Sequence, residues 1–219
     1  MLSRHAARKG IALRVAALVS TKGGVGKSTL AECLAVKAMQ DGESVYLLDL
    51  DPQQSTAAWW RRRQGPANPM LITGVETASR AIALLKQKNA ERDLLIIDTP
   101  GSFLGVINDA LQEAGAILVV VQPSPKDLEA QGAVEDLIQK SALQNRTLYV
   151  LNRVDRRSAL VGNAVETLRP KIVREPVLIG DRSDYVKADA AGKVANEINP
   201  QARIEISALW QAVKGVMNE

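Results

Sequence analysis

The sequence predicts an α/β domain, a doubly wound, mostly parallel sheet with helices on both faces. Three observations predict it. Six apolar runs alternate along the 219 residues with stretches of helical period. The runs are continuous rather than alternately polar and apolar, which marks strands buried on both faces. Of all residues, 46% are hydrophobic but only 3% aromatic, so Ala, Val, Leu and Ile must fill the core, as they do where helices pack on a parallel sheet.

The first run, RVAALVS over 14–20, enters a glycine-rich stretch. A helical pattern follows from Ser28 to about Gln40, and Asp41-Gly42 ends it. SVYLLDL (44–50) precedes a helix near 53–63, and a further helical stretch falls near 76–89. LLIIDTP (94–100) precedes one near 103–113, and AILVVVQP (116–123) one over 127–143. RTLYVLNRV (146–154) precedes one over 158–169; EPVLIG (175–180) is the last run, and a helix near 203–217 closes the series. No repeat, low-complexity tract or linker interrupts it. The expectation is one domain over 1–219, with 1–12 a flexible basic tail. That N-terminus loosely imitates a signal peptide, but its apolar part runs straight into the glycine-rich loop and reads as a strand. No apolar run reaches the roughly 18 residues that span a bilayer. Cys33 is the only cysteine, which excludes an internal disulfide and a cysteine-rich metal or iron–sulfur site within one subunit, and fits a cytoplasmic location.

Net charge is +4, and its placement says more than its size. Arg4, Arg8, Lys9 and Arg14 stand in the first 14 residues with no acid, leaving 24 basic and 24 acidic residues in the rest. Residues 145–174 hold seven basic side chains and two acids, Asp155 and Glu166. Such a stretch can form a local positive patch.

Residues 22–29 read KGGVGKST between a strand and a helix. That order cradles phosphate: Gly23, Gly24 and Gly26 let the backbone wrap with its N–H groups inward, and the helix N-terminus attracts the anion. Lys27 is placed to reach the β- and γ-phosphates, and the Ser28 hydroxyl to ligate Mg²⁺. The common Walker A pattern needs a glycine at position 21, where this chain has Thr21, and a second lysine, Lys22, stands at the loop's entrance.

KGGVGKST resembles the deviant Walker A motif of the ParA/MinD group of P-loop ATPases. DLDPQQS (49–55) and IIDTPG (96–101) are similar to that group's second and third motifs, in the same order. The short form resembles small plasmid-type ParA partition and cargo-positioning ATPases. The resemblance implies that Gly23, Gly24, Val25, Gly26, Lys27, Ser28 and Thr29 bind ATP and that two subunits form a homodimer around two ATP molecules. Lys22 of each subunit then reaches the other's phosphates. Asp51 is implied to orient the attacking water, Asp49 to support the Mg²⁺ shell, and Asp98 to hold Mg²⁺ through water. Each carboxylate has a plainer alternative: Asp51-Pro52 can start the next helix, Asp49 can cap, and Asp98 can be a strand-end turn residue. Thr99, Pro100 and Gly101 resemble the segment that senses the γ-phosphate. Asn152 is implied to read adenine, although NRVD also resembles the guanine-reading motif of GTPases, and a turn asparagine is the plain alternative.

Relatives of this type bind DNA without sequence preference, which by position implies Arg169, Arg203 and Arg174 as contacts; a solvated face is the alternative. The Trp59-Trp60 pair beside Arg61, Arg62 and Arg63 reads as packed tryptophan next to exposed arginine. Leu209, Trp210, Val213, Val216 and Met217 lie at helical spacing and read as core rather than as a membrane-seeking helix. The expectation is therefore a cytoplasmic ATPase that dimerises on ATP, associates with the nucleoid, positions a cargo and answers to a ParB-like activating protein, with no membrane contact. The rivals are a membrane-associated, MinD-like positioning ATPase and a metabolic P-loop enzyme.

Overall fold

A computed structural model describes residues 13–63, 69–88 and 93–218. The tail expected over 1–12 lies outside the described residues. In chain order the elements are β1 (Arg14–Val19), α1 (Lys27–Gln40), β2 (Val45–Asp49), α2 (Ser55–Arg62), β3 (Met70–Ile72), α3 (Ala78–Gln87), β4 (Leu94–Asp98), α4 (Leu104–Glu113), β5 (Ala116–Val121), α5 (Pro125–Glu129), α6 (Gly132–Lys140), β6 (Thr147–Val154), α7 (Ala159–Leu168), β7 (Val177–Gly180), α8 (Asp184–Ala190), α9 (Ala195–Ile198) and α10 (Pro200–Met217).

The strands form one seven-stranded sheet in the order β3-β2-β4-β1-β5-β6-β7, and the pairs are parallel. Alternate residues of one strand feed two cores. Val15, Ala17 and Val19 of β1 pack with Ala81 of α3, Ile107 and Leu111 of α4, Ile138 of α6 and Leu168 of α7. Ala16 and Leu18 face Leu30 and Leu34 of α1, Trp59 of α2, and Leu209, Trp210 and Val213 of α10. Burial of each large side chain contributes roughly 1.5–3 kcal/mol, so a strand apolar on both faces is stable only in this sandwich. The C-terminal stripe is core, as its spacing implies, with Leu209, Trp210, Val213 and Val216 buried. Among the described residues no helix is long and apolar enough to cross a membrane.

Four features differ from the sequence expectation. The helix expected over 127–143 is broken at Ala130 and Gln131 into α5 and α6. β3 is a three-residue strand on the sheet edge, too short to show a period. α8 and α9 are short and lay unassigned between the last strand and the last helix. α10 starts earlier than 203, because the Asn199 side chain accepts from the N–H groups of Gln201 and Ala202 and Pro200 occupies its first turn.

Candidate functional site

β1, β2 and β4 are neighbours, so their carboxyl ends deliver three loops to one edge. Register places Asp49 beside Asp98 and Leu18 beside Asp98. The loop after β1 carries Lys22 to Ser28, the one after β2 carries Asp51, and the one after β4 carries Thr99 to Gly101.

Gly24 and Gly26 adopt φ of 75° and 100°, the left-handed region that a side chain resists. Gly26 is the N-cap of α1, so the loop turns directly into the helix. Lys27, on the first turn, is 5% exposed, and its ammonium donates to the Lys22 carbonyl at 3.3 Å. Burial lowers its pKa, while Asp98 and then Asp51 raise it. One lysine thus senses acids from two different strand ends.

Asp98 is fully buried. Thr56 Oγ1 donates to its Oδ2 at 2.8 Å, and its Oδ1 has no hydrogen bond of good geometry. Burial lifts the carboxyl to about 7; the Ser28 and Thr56 hydroxyls and Lys27 pull against that rise, and Asp49 adds to it. An orphaned, buried carboxylate oxygen beside a serine hydroxyl fits a hydrated, oxygen-seeking cation. No cluster of three or more His, Cys, Asp or Glu is present among the described residues, so such a cation would depend on phosphate oxygens and water for its other ligands.

Asp49 is buried and spends both oxygens on backbone, Oδ1 on Asp51 N–H at 3.1 Å and Oδ2 on Ala57 N–H at 2.9 Å. It ties the β2 end to the start of α2. Asp51 is half-buried, and its Oδ1 accepts from Gln53 N–H at 2.9 Å. The N-cap of α2 is Gln54, so Asp51 shapes a turn and does not cap the helix.

The segment after β4 lies against the phosphate loop. Thr99 Oγ1 donates to Leu18 O at 2.8 Å. A Cβ on Gly101 would stand 2.9 Å from Gly23 N and 3.0 Å from the Lys22 carbonyl carbon. Backbone neighbours cannot swing aside, so Gly101→Ala is expected to destabilise by about 1–3 kcal/mol and to weaken nucleotide binding by prising the two loops apart. Thermal denaturation with and without nucleotide checks this, and an unchanged variant would mean that the loops are free to separate.

Asn152 is buried at the end of β6, and its Nδ2 donates to Val25 O at 2.7 Å. A register shift between Leu151 and Val154, with Arg153 at φ 55°, turns the strand there. A side chain on Gly26 would collide with the Asn152 amide. Asn152 therefore braces the phosphate loop, a contact its position in sequence does not reveal. In the neighbouring loop, Gly180 N–H and Arg182 both bond to the buried Glu205.

The arginines named as DNA contacts are each engaged locally. Arg169 pairs with Glu166 at 3.0 Å and lies 3.9 Å from Glu175. Arg174 donates to Asn145 O, and Arg203 to Asn196 O and Glu197 O. Trp59 is buried, donates to Lys193 O, and lies under Arg63, whose fork grips Glu197. That is packing, as expected. A cavity of about 320 Å³ lies between α5, α6 and α7, lined by Ser124, Leu128, Glu135, Leu160, Asn163 and Lys171 among others, and no phosphate-loop residue borders it.

Thr56, Asp127 and Gln131 belong to the site and carry no sequence motif. Lys22 pairs with Asp127, and Gln131 accepts from Thr21 N–H at 3.1 Å.

Comparison with known proteins shows the family and the fold. Residues 16–195 match the CobQ/CobB/MinD/ParA nucleotide-binding domain family. The chain is 35% identical over 159 residues to the maintenance of carboxysome distribution protein A of Gloeobacter kilaueensis, covering 71% of this chain and 69% of that protein. It is 25% identical over 173 residues to protein ParA of Rhizobium radiobacter, covering 73% and 78%. The fold superposes on a Cyanothece McdA variant solved in complex with ATP, with a TM-score of 0.72 at 16% identity, over 95% of this chain and 98% of that one.

Proposed function

The chain belongs to the CobQ/CobB/MinD/ParA nucleotide-binding family, and on that premise we propose that it is an ATPase that dimerises on ATP, binds DNA without sequence preference and positions a cargo. The 35% identity to a protein that maintains carboxysome distribution supports the positioning role. The observation that carries the reading is one sheet edge at which the glycine loop after β1, with Gly24 and Gly26 left-handed and Lys27 buried on the first turn of α1, stands beside Asp98 at the end of β4 and Asp49 at the end of β2.

In this reading the loop N–H groups from Gly23 to Thr29 and the Lys27 ammonium hold the phosphates. The Ser28 hydroxyl holds Mg²⁺, and Asp98 acts on it through water, with Thr56 fixing the carboxylate. Mg²⁺ supplies charge neutralisation between the phosphates when bound. Asp51 orients the attacking water. Asp49 supports the Mg²⁺ shell and ties the turn that carries Asp51 to the first turn of α2, where Thr56 lies. Asn152 reads the adenine edge, and its bond to Val25 O keeps the phosphate loop in register. Lys22 neutralises the partner's phosphates as their bonds break.

DNA binding is expected to need ATP, to ignore sequence and to fall at least about tenfold between roughly 50 and 200 mM salt, because it rests on phosphate contacts. Charge reversal at exposed Arg169 should weaken it without changing ATP affinity, as should reversal at Arg203. Filter binding across a salt series measures this. Failure of the wild type to bind DNA at low salt with ATP would leave the arginines as a solvated face. Flotation with anionic vesicles under ATP, without DNA retention, would favour the MinD-like reading.

A further inference from the structure

We propose that Asp127 is a positioning residue for Lys22: it holds the lysine's ammonium within its own chain and so sets how readily that lysine engages a second copy. This rests on the reading that Lys22 acts across a dimer.

The geometry is asymmetric. The Asp127 side chain is 4% exposed and the Lys22 side chain 49%. Ser124 Oγ donates to Asp127 Oδ2 at 2.7 Å, so the carboxylate is anchored from one side and Lys22 takes the other oxygen. Burial raises the Asp127 pKa, but Lys22 and Ser124 outweigh it and hold the carboxyl below its ordinary range. Lys22 is the basic side chain in ion-pair contact with Asp127 among the described residues.

The surrounding frame is tied together by hydrogen bonds. Gln131 Nε2 donates to Asp127 O at 3.1 Å, and Gln131 Oε1 accepts from Thr21 N–H and from Ser20 Oγ. Thr21 Oγ1 donates to Ala130 O. The 124–131 segment and the loop entrance are therefore joined by hydrogen bonds, and the exposed partner of the ion pair is the lysine side chain.

A capping role does not account for the carboxylate. Ser124 caps α5 by accepting from Asp127 N–H, and the Ser124 N–H is already given to Gln122 O. The reciprocal side-chain bond of a capping box is thus not needed here. The carboxylate instead meets an ammonium at the phosphate loop.

The Lys22–Gly23 peptide is also a shared node. Lys27 Nζ donates to its carbonyl, and Gly101 packs on its backbone. Phosphate drawing on Lys27, and movement of the 99–101 segment, would both act on the residue whose side chain Asp127 holds.

The test uses Asp127→Asn, which keeps size and the Ser124 contact. Without nucleotide, competitive acylation read by mass spectrometry should label Lys22 about three- to fivefold faster than in the wild type, as expected for losing one half-exposed ion pair. With ATP, sedimentation should place the dimerisation midpoint about fivefold lower in protein concentration. Adding Lys22→Ala to Asp127→Asn should erase that gain. Ser124→Ala, which loosens the carboxylate, should shift labelling the same way, and circular dichroism checks folding of each variant. Unchanged Lys22 labelling in both variants, or a midpoint that rises, overturns the proposal. If the wild type forms no dimer with ATP, the sandwich reading fails by itself, and the labelling still decides whether Asp127 holds Lys22.

Discussion

Lys22→Ala is expected to bind ATP almost as the wild type does, to form no dimer, and to hydrolyse ATP at least about 1000-fold more slowly, the lower end of the range for a charge supplied in trans. Lys27 and the loop amides are untouched, so the first step survives. Two closely opposed ATP molecules then repel each other without the lysine that offsets them. The variant also leaves Asp127, whose side chain is 4% exposed, without its cation, so circular dichroism checks that the variant is folded. Mixing separates the mechanism from general damage. An Asp51→Ala subunit keeps its own Lys22 and can lend it to a Lys22→Ala subunit, whose Asp51 is intact. One complete site then exists in the mixed dimer, and hydrolysis should partly return. Sedimentation and phosphate release on each variant, alone and mixed, decide it. A Lys22→Ala protein that dimerises and turns over normally sinks the sandwich mechanism and revives the metabolic-enzyme reading.

Lys27→Ala should act one step earlier. The side chain is 5% exposed and points back along the loop to Lys22 O. Its loss removes charge-assisted bonds to phosphate worth about 3 kcal/mol together, or roughly 100-fold in affinity. It also withdraws the positive charge that Asp98 and Asp51 share, which opposes a second anion entering the site. Titration with a fluorescent nucleotide measures the change. A folded variant with unaltered affinity removes the phosphates from this loop.

The strand ends and their acids were legible because they are local. A continuous apolar run ends, glycines follow, a helix begins, and these rules act within about ten residues of chain. Asp49, Asp51 and Asp98 could be placed at one sheet edge by the same reasoning, and the structure puts Asp49 beside Asp98. The two faces of each buried strand, and the core role of the last helix, also followed from spacing. The break in 127–143 did not, since AQG interrupts no period, and the three-residue β3 leaves no pattern to read.

What the sequence determined by itself is therefore the alternation of strands and helices, the phosphate loop and the acids that end the strands, because periodicity and backbone chirality act over short range. Only the tertiary structure decided the partners of those groups. Lys22 meets Asp127 across 105 residues, Asn152 braces Val25 O across 127, and Thr56 joins Asp98 across 42. Such pairings depend on strand order, which sets β1 between β4 and β5 and brings the loops after them together. No residue announces its neighbour across a sheet, because that contact is chosen by how two cores pack at once on both faces of the same strands.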